Sequence, residues 1–420
     1  MIKIIKKEDC VGCNACVQRC PKQCISYHED EQGFLYPKVD ESLCIKCGLC
    51  EKVCPVINQA EPRKPIAVYA ARNLDTEVQK NSSSGGVFFA LAKSVIEQGG
   101  VVFGAKFNDK WEVVHDYAET LDGIRAFQGS KYVQSRIEDN FAKAERFLKD
   151  GRKVMFTGTP CQLAGLRLFL RKDYGEQLLK VDVVCHGVPS PLIWREYLKF
   201  ITARPTGAPA GKNTDFISLN GIPASAGISF RDKKLGWEKY GFSVRTAATN
   251  GSGENSDFQS AIRQNPEGKF IFFETHDKNL FMQIFLRDLD LRPSCYDCPT
   301  KCGKAHSDIT LADFWGVEKL LPQAYDSNGV SLILIHTLRG NMAVESLPIE
   351  TYKTDYGAAI ESNRSIEKSV SCPPQYNFFW KKFNKGGFES ITTLTNIMHR
   401  SLIQRIISKL KIIIQRVIRL

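Results

Sequence analysis

Eight cysteines near the start of the chain constrain it more than anything that follows. Cys10, Cys13, Cys16 and Cys20 run into Pro21, and Cys44, Cys47, Cys50 and Cys54 run into Pro55, so each half reads Cys-x-x-Cys-x-x-Cys-x-x-x-Cys-Pro. Three thiolates at such tight intervals can wrap three irons of one cubane, while the fourth, held just before a proline, is carried across to the other cubane. The spacing therefore gathers Cys10, Cys13, Cys16 and Cys54 around one 4Fe-4S cluster, and Cys44, Cys47, Cys50 and Cys20 around a second. Zinc knuckles or disulfides would need the same double pattern by accident.

This is the spacing of bacterial two-cluster ferredoxins, and it predicts an α+β electron-transfer module over residues 1–58. Between the two runs, Ile25 to Leu43 reads as a hairpin turning at Asp30-Glu31-Gln32-Gly33. Cys24 stands outside both patterns and reads as a small buried hydrophobe. The chain has 420 residues and fifteen cysteines, and its length leaves room for further domains. Thiolates that ligate iron must stay reduced, and Met1 to Asp9 lacks the apolar run of a secretory signal, so the expected compartment is cytoplasmic. The formal charge is +11, and Arg400, Arg405, Lys409, Lys411, Arg416 and Arg419 supply much of it from the last stretch. The remaining excess is diffuse and comes with no RNA- or DNA-binding motif, so no nucleic-acid partner is expected.

After a linker at Gln59 to Pro65, a second domain is expected over residues 66–345, of α/β class with a mixed or parallel sheet. Ala67 to Ala71 reads as a strand. Ser82-Ser83-Ser84-Gly85-Gly86 then runs into the apolar stretch Val87 to Ile96. Hydroxyls and glycines at a helix opening leave backbone N–H groups for a phosphate, or simply form an N-cap with a flexible entry. Gly99-Gly100 ends that helix and Val101 to Phe107 resumes as a strand. Two strand–turn–helix units follow. In the first, Lys153 to Phe156 leads through Thr157 to Gln162 into Leu163 to Leu170. In the second, Leu179 to Val184 leads through Cys185-His186-Gly187 into Pro189 to Ile201. Alternating strands and helices imply parallel pairing, with ligands at the carboxyl ends of the strands. Cys161 and Cys185 both stand at that edge. Cys295 and Cys298 form a Cys-x-x-Cys, with Cys302 four residues on and Asp308 to Gly316 behind. Alone the pair suits zinc or a redox dithiol; with Cys161 and Cys185 it supplies the thiolates of a third cubane, and spacing leaves Cys302 open as a substitute ligand.

At Ser82 to Gly86, Gly158-Thr159-Pro160-Cys161-Gln162, Cys185-His186-Gly187 and Asp313-Phe314-Trp315-Gly316, the chain resembles the coenzyme F-420 hydrogenase/dehydrogenase beta subunit family. The likeness runs from about Ile66 to about Arg339. It implies an FAD-binding domain with its own 4Fe-4S cluster, passing electrons between iron–sulfur centres and an organic two-electron substrate. It also favours Cys161, Cys185, Cys295 and Cys298 as the third ligand set. Ser83, Ser84, Gly85, Gly86, Lys131, Gly158 and Gln162 are then the expected cofactor contacts, and His186 the candidate proton donor, or else a hydrogen-bond donor to cluster sulfur. The substrate class implied is a deazaflavin or, for relatives that accompany polysaccharide biosynthesis, an unidentified metabolite. A redox partner protein or reduced ferredoxin is the expected electron source. The rival expectation is an electron-input or docking subunit without a substrate site of its own.

Residues 346–420 are expected as a C-terminal extension. Leu402, Ile403, Ile406, Ile407, Leu410, Ile413, Ile414, Val417 and Ile418 form a helical stripe, with Gln404, Arg405, Lys409, Gln415, Arg416 and Arg419 opposite. Too many charges interrupt it for a spanning helix. A basic amphipathic helix of this kind suits peripheral contact with the inner membrane face, packing on its own body, or a partner helix.

Overall fold

The computed structural model describes residues 1–203, 226–246 and 270–391. Its N-terminal part holds α1 (Ala15–Arg19), the hairpin β1 (Ile25–Glu29) and β2 (Leu35–Val39), and α2 (Leu49–Lys52). The hairpin is antiparallel with Ile25 opposite Val39, and the Asp30 carboxylate accepts the N–H groups of Gln32 and Phe34, closing the turn. A unit this small cannot bury a sufficient core alone. It shares one with the body: Ile2, Val11, Ala15 and Val53 pack in one cluster with Phe141, Phe156, Leu163, Leu166 and Phe169.

The body opens with β3 (Ala67–Asn73), α3 (Thr76–Lys80), α4 (Val87–Glu97), β4 (Val101–Phe107) and β5 (Val113–Ala118). Then come α5 (Asn140–Lys149), β6 (Val154–Gly158), α6 (Pro160–Leu170), β7 (Leu178–Val183) and α7 (Pro191–Ala203). β8 (Ala226–Asp232), β9 (Gly241–Thr246) and β10 (Phe270–Thr275) form a separate antiparallel sheet. They are followed by α8 (Leu280–Leu286), β11 (Ile309–Asp313), α9 (Val317–Leu320), β12 (Ser331–Ile335), α10 (Leu338–Glu345), β13 (Ile349–Lys353), α11 (Tyr356–Ser362) and α12 (Tyr376–Gly386).

The main sheet has the order β13-β3-β12-β11-β7-β6-β4-β5. Parallel pairing is confined to its centre, β4 with β6, β6 with β7, and β7 with β11; the flanks are antiparallel. Central parallel strands need both faces covered, and β6 is accordingly buried along almost its whole length. The smaller sheet, which nothing in the local sequence pattern announces, turns Phe230 and Phe242 onto Trp194 and Phe281, all of them essentially inaccessible.

Two expectations about boundaries change. Residues 59–65 are pinned rather than free: the Arg63 N–H donates to the Cys302 carbonyl at 2.9 Å, and Lys304 donates to Gln59. The extension expected from residue 346 begins inside the fold, because β13 pairs with β3 as the sheet's edge and Phe379, Trp380 and Phe383 of α12 join the core around Trp194. An edge strand reached after a long excursion carries no local mark of where it docks. The tail stripe Leu402 to Leu420 and the polar loop at 250–257 lie outside the described residues. Among the described residues no helix is long and apolar enough to cross a membrane.

Candidate functional site

The two N-terminal cysteine sets surround two cavities. One is walled by Cys10, Cys13, Cys16 and Cys54 with Ile2, Ile4 and Tyr27. The other is walled by Cys20, Cys44, Cys47 and Cys50. Cys24 reaches the second as well; it is buried, and its Sγ stands 3.3 Å from that of Cys20. Positive φ at Gly12 and Gly48, and in the αL cap Asn14, bends the chain so that successive cysteines point inward. Burial, then neighbouring thiols, pushes Cys13 and Cys16 far up from the ordinary thiol range, and burial raises Cys54. Among the described residues no three Cys, His, Asp or Glu side chains converge as one metal ion requires. Each set instead rings a space, which suits irons at separate corners of a cluster.

A third group assembles from three segments. Thr159 caps α6, Pro160 takes its first position, and Gln162 returns a hydrogen bond, its Oε1 accepting the Thr159 N–H at 2.9 Å. This places Cys161 in the first helical turn rather than in the loop expected from sequence. Cys185 follows β7, where the Val184 N–H donates to the Leu311 carbonyl. Cys295 ends a short 3-10 turn, and its Sγ accepts the Val188 N–H at 3.4 Å. The thiols face one another: Cys161 is pushed up to about 12 by burial, then by Cys298 and Cys185. Cys185 is pushed up to about 11 by burial, with Lys301 opposing. Cys295 is raised by burial and by Cys185, Cys298 and Cys161. Cys302 is turned elsewhere, its Sγ donating to the Glu367 carbonyl at 3.3 Å.

His186, next to Cys185, holds its Nε2 2.6 Å from Asp288 Oδ1 and sets its ring edge-on to Phe285. Phe285 stacks on Tyr132 at 4.8 Å, and Tyr132 meets Phe230 at 5.7 Å. One aromatic layer thus leads from the third cysteine group to a cavity of about 340 Å³ whose wall includes Ser82, Ser83, Gly129, Arg231, Lys233 and Arg245. Arg231 is 5% exposed, pairs with Asp313 at 3.0 Å, lies over the Tyr240 ring, and leaves its buried Nε without a partner. Burial lowers Lys233 to about 7 while its ammonium donates to the carbonyls of Gln79 and Ser84. Arg245 pairs with Asp232 at 2.6 Å. Lys80 and Lys234 complete a wall in which cations outnumber carboxylates, a surface suited to a phosphate-bearing ligand.

The expected cofactor contacts divide. Ser83 lines this cavity, its Oγ accepting the Ser130 N–H at 2.7 Å. Ser84, Gly85 and Gly86 face the protein: Ser84 donates to the Val330 carbonyl, a Cβ on Gly85 would stand 2.3 Å from the Ala71 carbonyl oxygen, and Gly86 caps α4 at φ +84°. Lys131 donates to the carbonyls of Ala126, Gln128 and Gly129, tying its own loop. Gly158 packs beneath Gln162, whose Nε2 donates to Ser135. Arg231, Lys233 and Arg245 escaped the sequence reading. The only signal was the charged run Arg231-Asp232-Lys233-Lys234, which looks like any solvated turn until β8 folds it over the serine loop.

Comparison with known proteins matches the same regions. The 4Fe-4S dicluster domain model covers residues 9–58. The N-terminal and C-terminal models of the coenzyme F-420 hydrogenase/dehydrogenase beta subunit cover residues 68–139 and 151–208. One component of the F(420)H(2) dehydrogenase of Methanosarcina mazei is 24% identical over 193 residues, 44% of this chain and 55% of that one. The coenzyme F-420-dependent sulfite reductase of Methanocaldococcus jannaschii is 28% identical over 172 residues, 39% of this chain and 26% of that one. A ferredoxin of Hydrogenibacillus schlegelii, described as 7Fe, is 45% identical over 51 residues, 12% of this chain and 59% of that one. The chain thus spans about half or less of the length of the first two relatives. It carries a 4Fe-4S dicluster domain followed by regions that match both parts of the coenzyme F-420 hydrogenase/dehydrogenase beta subunit family.

Proposed function

We propose that this chain is an iron–sulfur flavoprotein oxidoreductase, in which two ferredoxin clusters and a third cluster connect a redox partner protein to FAD and an organic two-electron substrate. One observation carries the reading: Cys161, Cys185, Cys295 and Cys298, distant in sequence, gather between the Cys10 cavity and the cationic cavity. A cluster suits them better than zinc in the iron–sulfur company of the two N-terminal sets. The N-terminal ligand sets are those drawn from spacing, Cys10, Cys13, Cys16 and Cys54 for one cluster and Cys20, Cys44, Cys47 and Cys50 for the other.

FAD, when bound, supplies the conversion between single electrons and a hydride. The residues here that would hold its phosphates are Ser83, Arg231 and Lys233, with Arg245 farther along the same wall. Tyr132 and Phe285 exclude water between the cavity and the third cysteine group. His186, anchored by Asp288 on the third-cysteine side of Phe285, would serve as a hydrogen-bond donor to cluster sulfur or as the proton donor. A deazaflavin or a metabolite of polysaccharide biosynthesis is the substrate class. The partner docks at the second cluster, where Cys47 is exposed close to Leu43 and Ile45, 57% and 58% exposed.

Anaerobic purification with iron, sulfide and flavin counted per chain tests this directly. About twelve irons with one FAD is the expected result, four irons to each of three clusters. About eight irons without flavin would replace it with an electron-input subunit that serves a partner enzyme.

A further inference from the structure

We propose that Arg292 is the positioning residue that couples the first N-terminal cluster to the third one, holding their ligands at a fixed approach and raising the reduction potential of both. The proposal rests on the reading that Cys161, Cys185, Cys295 and Cys298 hold a cluster.

Arg292 is 1% exposed. Its Nε donates to the Cys10 carbonyl at 2.7 Å, one Nη to Gln134 Oε1 at 3.0 Å, and the other to the Leu35 carbonyl at 3.0 Å, while its guanidinium lies 4.4 Å from the Tyr36 ring centre. Its main chain is tied to the opposite site. The Arg292 carbonyl accepts the Cys295 N–H at 2.8 Å, and its N–H donates to the Val188 carbonyl, on the residue whose own N–H reaches Cys295 Sγ. A single residue therefore runs from the peptide of one candidate ligand to the peptide of another. The N-terminal loop is shaped to close on it: Gly12 has φ +69°, and a Cβ there would stand 2.8 Å from Arg292 Nη1.

The charge is the second half of the argument. Buried guanidinium groups normally face a carboxylate. All three side-chain partners of Arg292 are neutral oxygens, and the ionisable groups whose charge reaches it are Cys10, Tyr36, Tyr27 and Cys295. The compensating anions are then the thiolate-ligated clusters on either side. A buried cation beside such a cluster favours its reduced, more negative form and raises its potential. The step served is a one-electron exchange: the first cluster is oxidised, the third is reduced, no bond breaks and no proton moves. The electron comes from a one-electron redox protein.

The test uses the full chain, purified anaerobically, with iron counted before redox titration followed by EPR. Arg292→Gln should keep the wild-type iron content yet shift the first and third clusters to more negative potentials. The expected shift is at least tenfold in each reduction equilibrium, about 59 mV for one electron. The second cluster should not move, and Arg292→Lys, which keeps the charge, should hold both potentials near the wild-type values. Should Arg292→Gln fail to assemble, Gln134→Glu decides, because its carboxylate would neutralise Arg292 in place and produce the same shift. Unchanged potentials at full iron content in either variant overturn the proposal. Eight irons in the wild-type chain would overturn the three-cluster reading instead, and the two failures are told apart by the iron count.

Discussion

A Cβ placed on Gly165 would stand 3.0 Å from the Sγ of Cys13. Gly165 lies about one turn beyond Cys161 on α6, so the helix that presents a thiol to the third group also forms the wall behind the first. Gly165→Val should overpack this contact at a cost of about 1–3 kcal/mol. The expected outcome is a lower melting temperature together with iron loss from the first cluster, measured by anaerobic thermal denaturation and iron analysis. An unshifted melt with full iron would mean that the two parts do not depend on this contact.

Replacing Cys295 and Cys298 together with serine should remove about four of about twelve irons. The signals of the N-terminal clusters should persist, because their cavities contain neither residue. Iron content equal to that of the parent would sink the third cluster.

His186→Gln should lower turnover by on the order of 10²-fold with iron and flavin retained, the usual scale for losing a positioned proton donor. Asp288 sits at φ +60°, a conformation asparagine tolerates, so Asp288→Asn should fold and lose the anchor of His186. Steady-state rates with a low-potential acceptor read both effects. Full turnover in His186→Gln would reduce the imidazole to a tether for Asp288.

Asp290 is fully buried, and burial raises its pKa to about 8 against backbone N–H contacts from its own residue and Ser190, with Asp288 adding to the rise. Tyr296 is the other titratable group facing it. An unfolded aspartate titrates near ~3.9, so between the two values the native chain holds a proton that the unfolded chain has lost. That stability is fully present below about pH 4 and is lost as pH rises through the folded value, by up to about 1.4 kcal/mol per unit. Asp290→Asn cannot titrate, and its melting temperature should fall less between pH 5 and 8 than that of the parent. Parallel profiles would show that Asp290 is ionised or hydrated in the native state.

Buried histidines act with the opposite sign. His115 is lowered to about 4, chiefly by burial, as its Nε2 binds the Thr157 carbonyl, and His336 is lowered to about 4 for the same first reason. Stability that depends on their neutrality is present above about pH 6.5 and lost as pH falls through 4. His115→Gln should flatten the acid limb of the melting profile, and an unaltered limb would place that loss elsewhere.

Several elements were legible because their causes are local. The Asp30 turn and the strand at Val101–Phe107 each follow from a few adjacent residues. The surroundings of the serine–glycine loop were legible only in part. Gly85 is required by the close approach of β3, a contact made from outside the loop, and the cations that face Ser83 arrive from β8 and β9.

By itself, the amino-acid sequence grouped Cys54 with Cys10, Cys13 and Cys16, and Cys20 with Cys44, Cys47 and Cys50, as the two cavities do, because spacing within a short segment restricts which sulfurs can meet. It also marked the helix Leu163 to Leu170, but not that its first turn begins early enough to carry Cys161. Only the tertiary structure decided that Cys185, Cys295 and Cys298 face that helix and that Cys302 does not. The antiparallel flanks of the sheet and the placing of Arg292 between two thiol groups were decided there too. Each of these joins segments separated by long stretches of chain. Such contacts depend on shared burial and on finding hydrogen-bond partners for buried polar groups, and neither leaves a periodicity in the residues that meet.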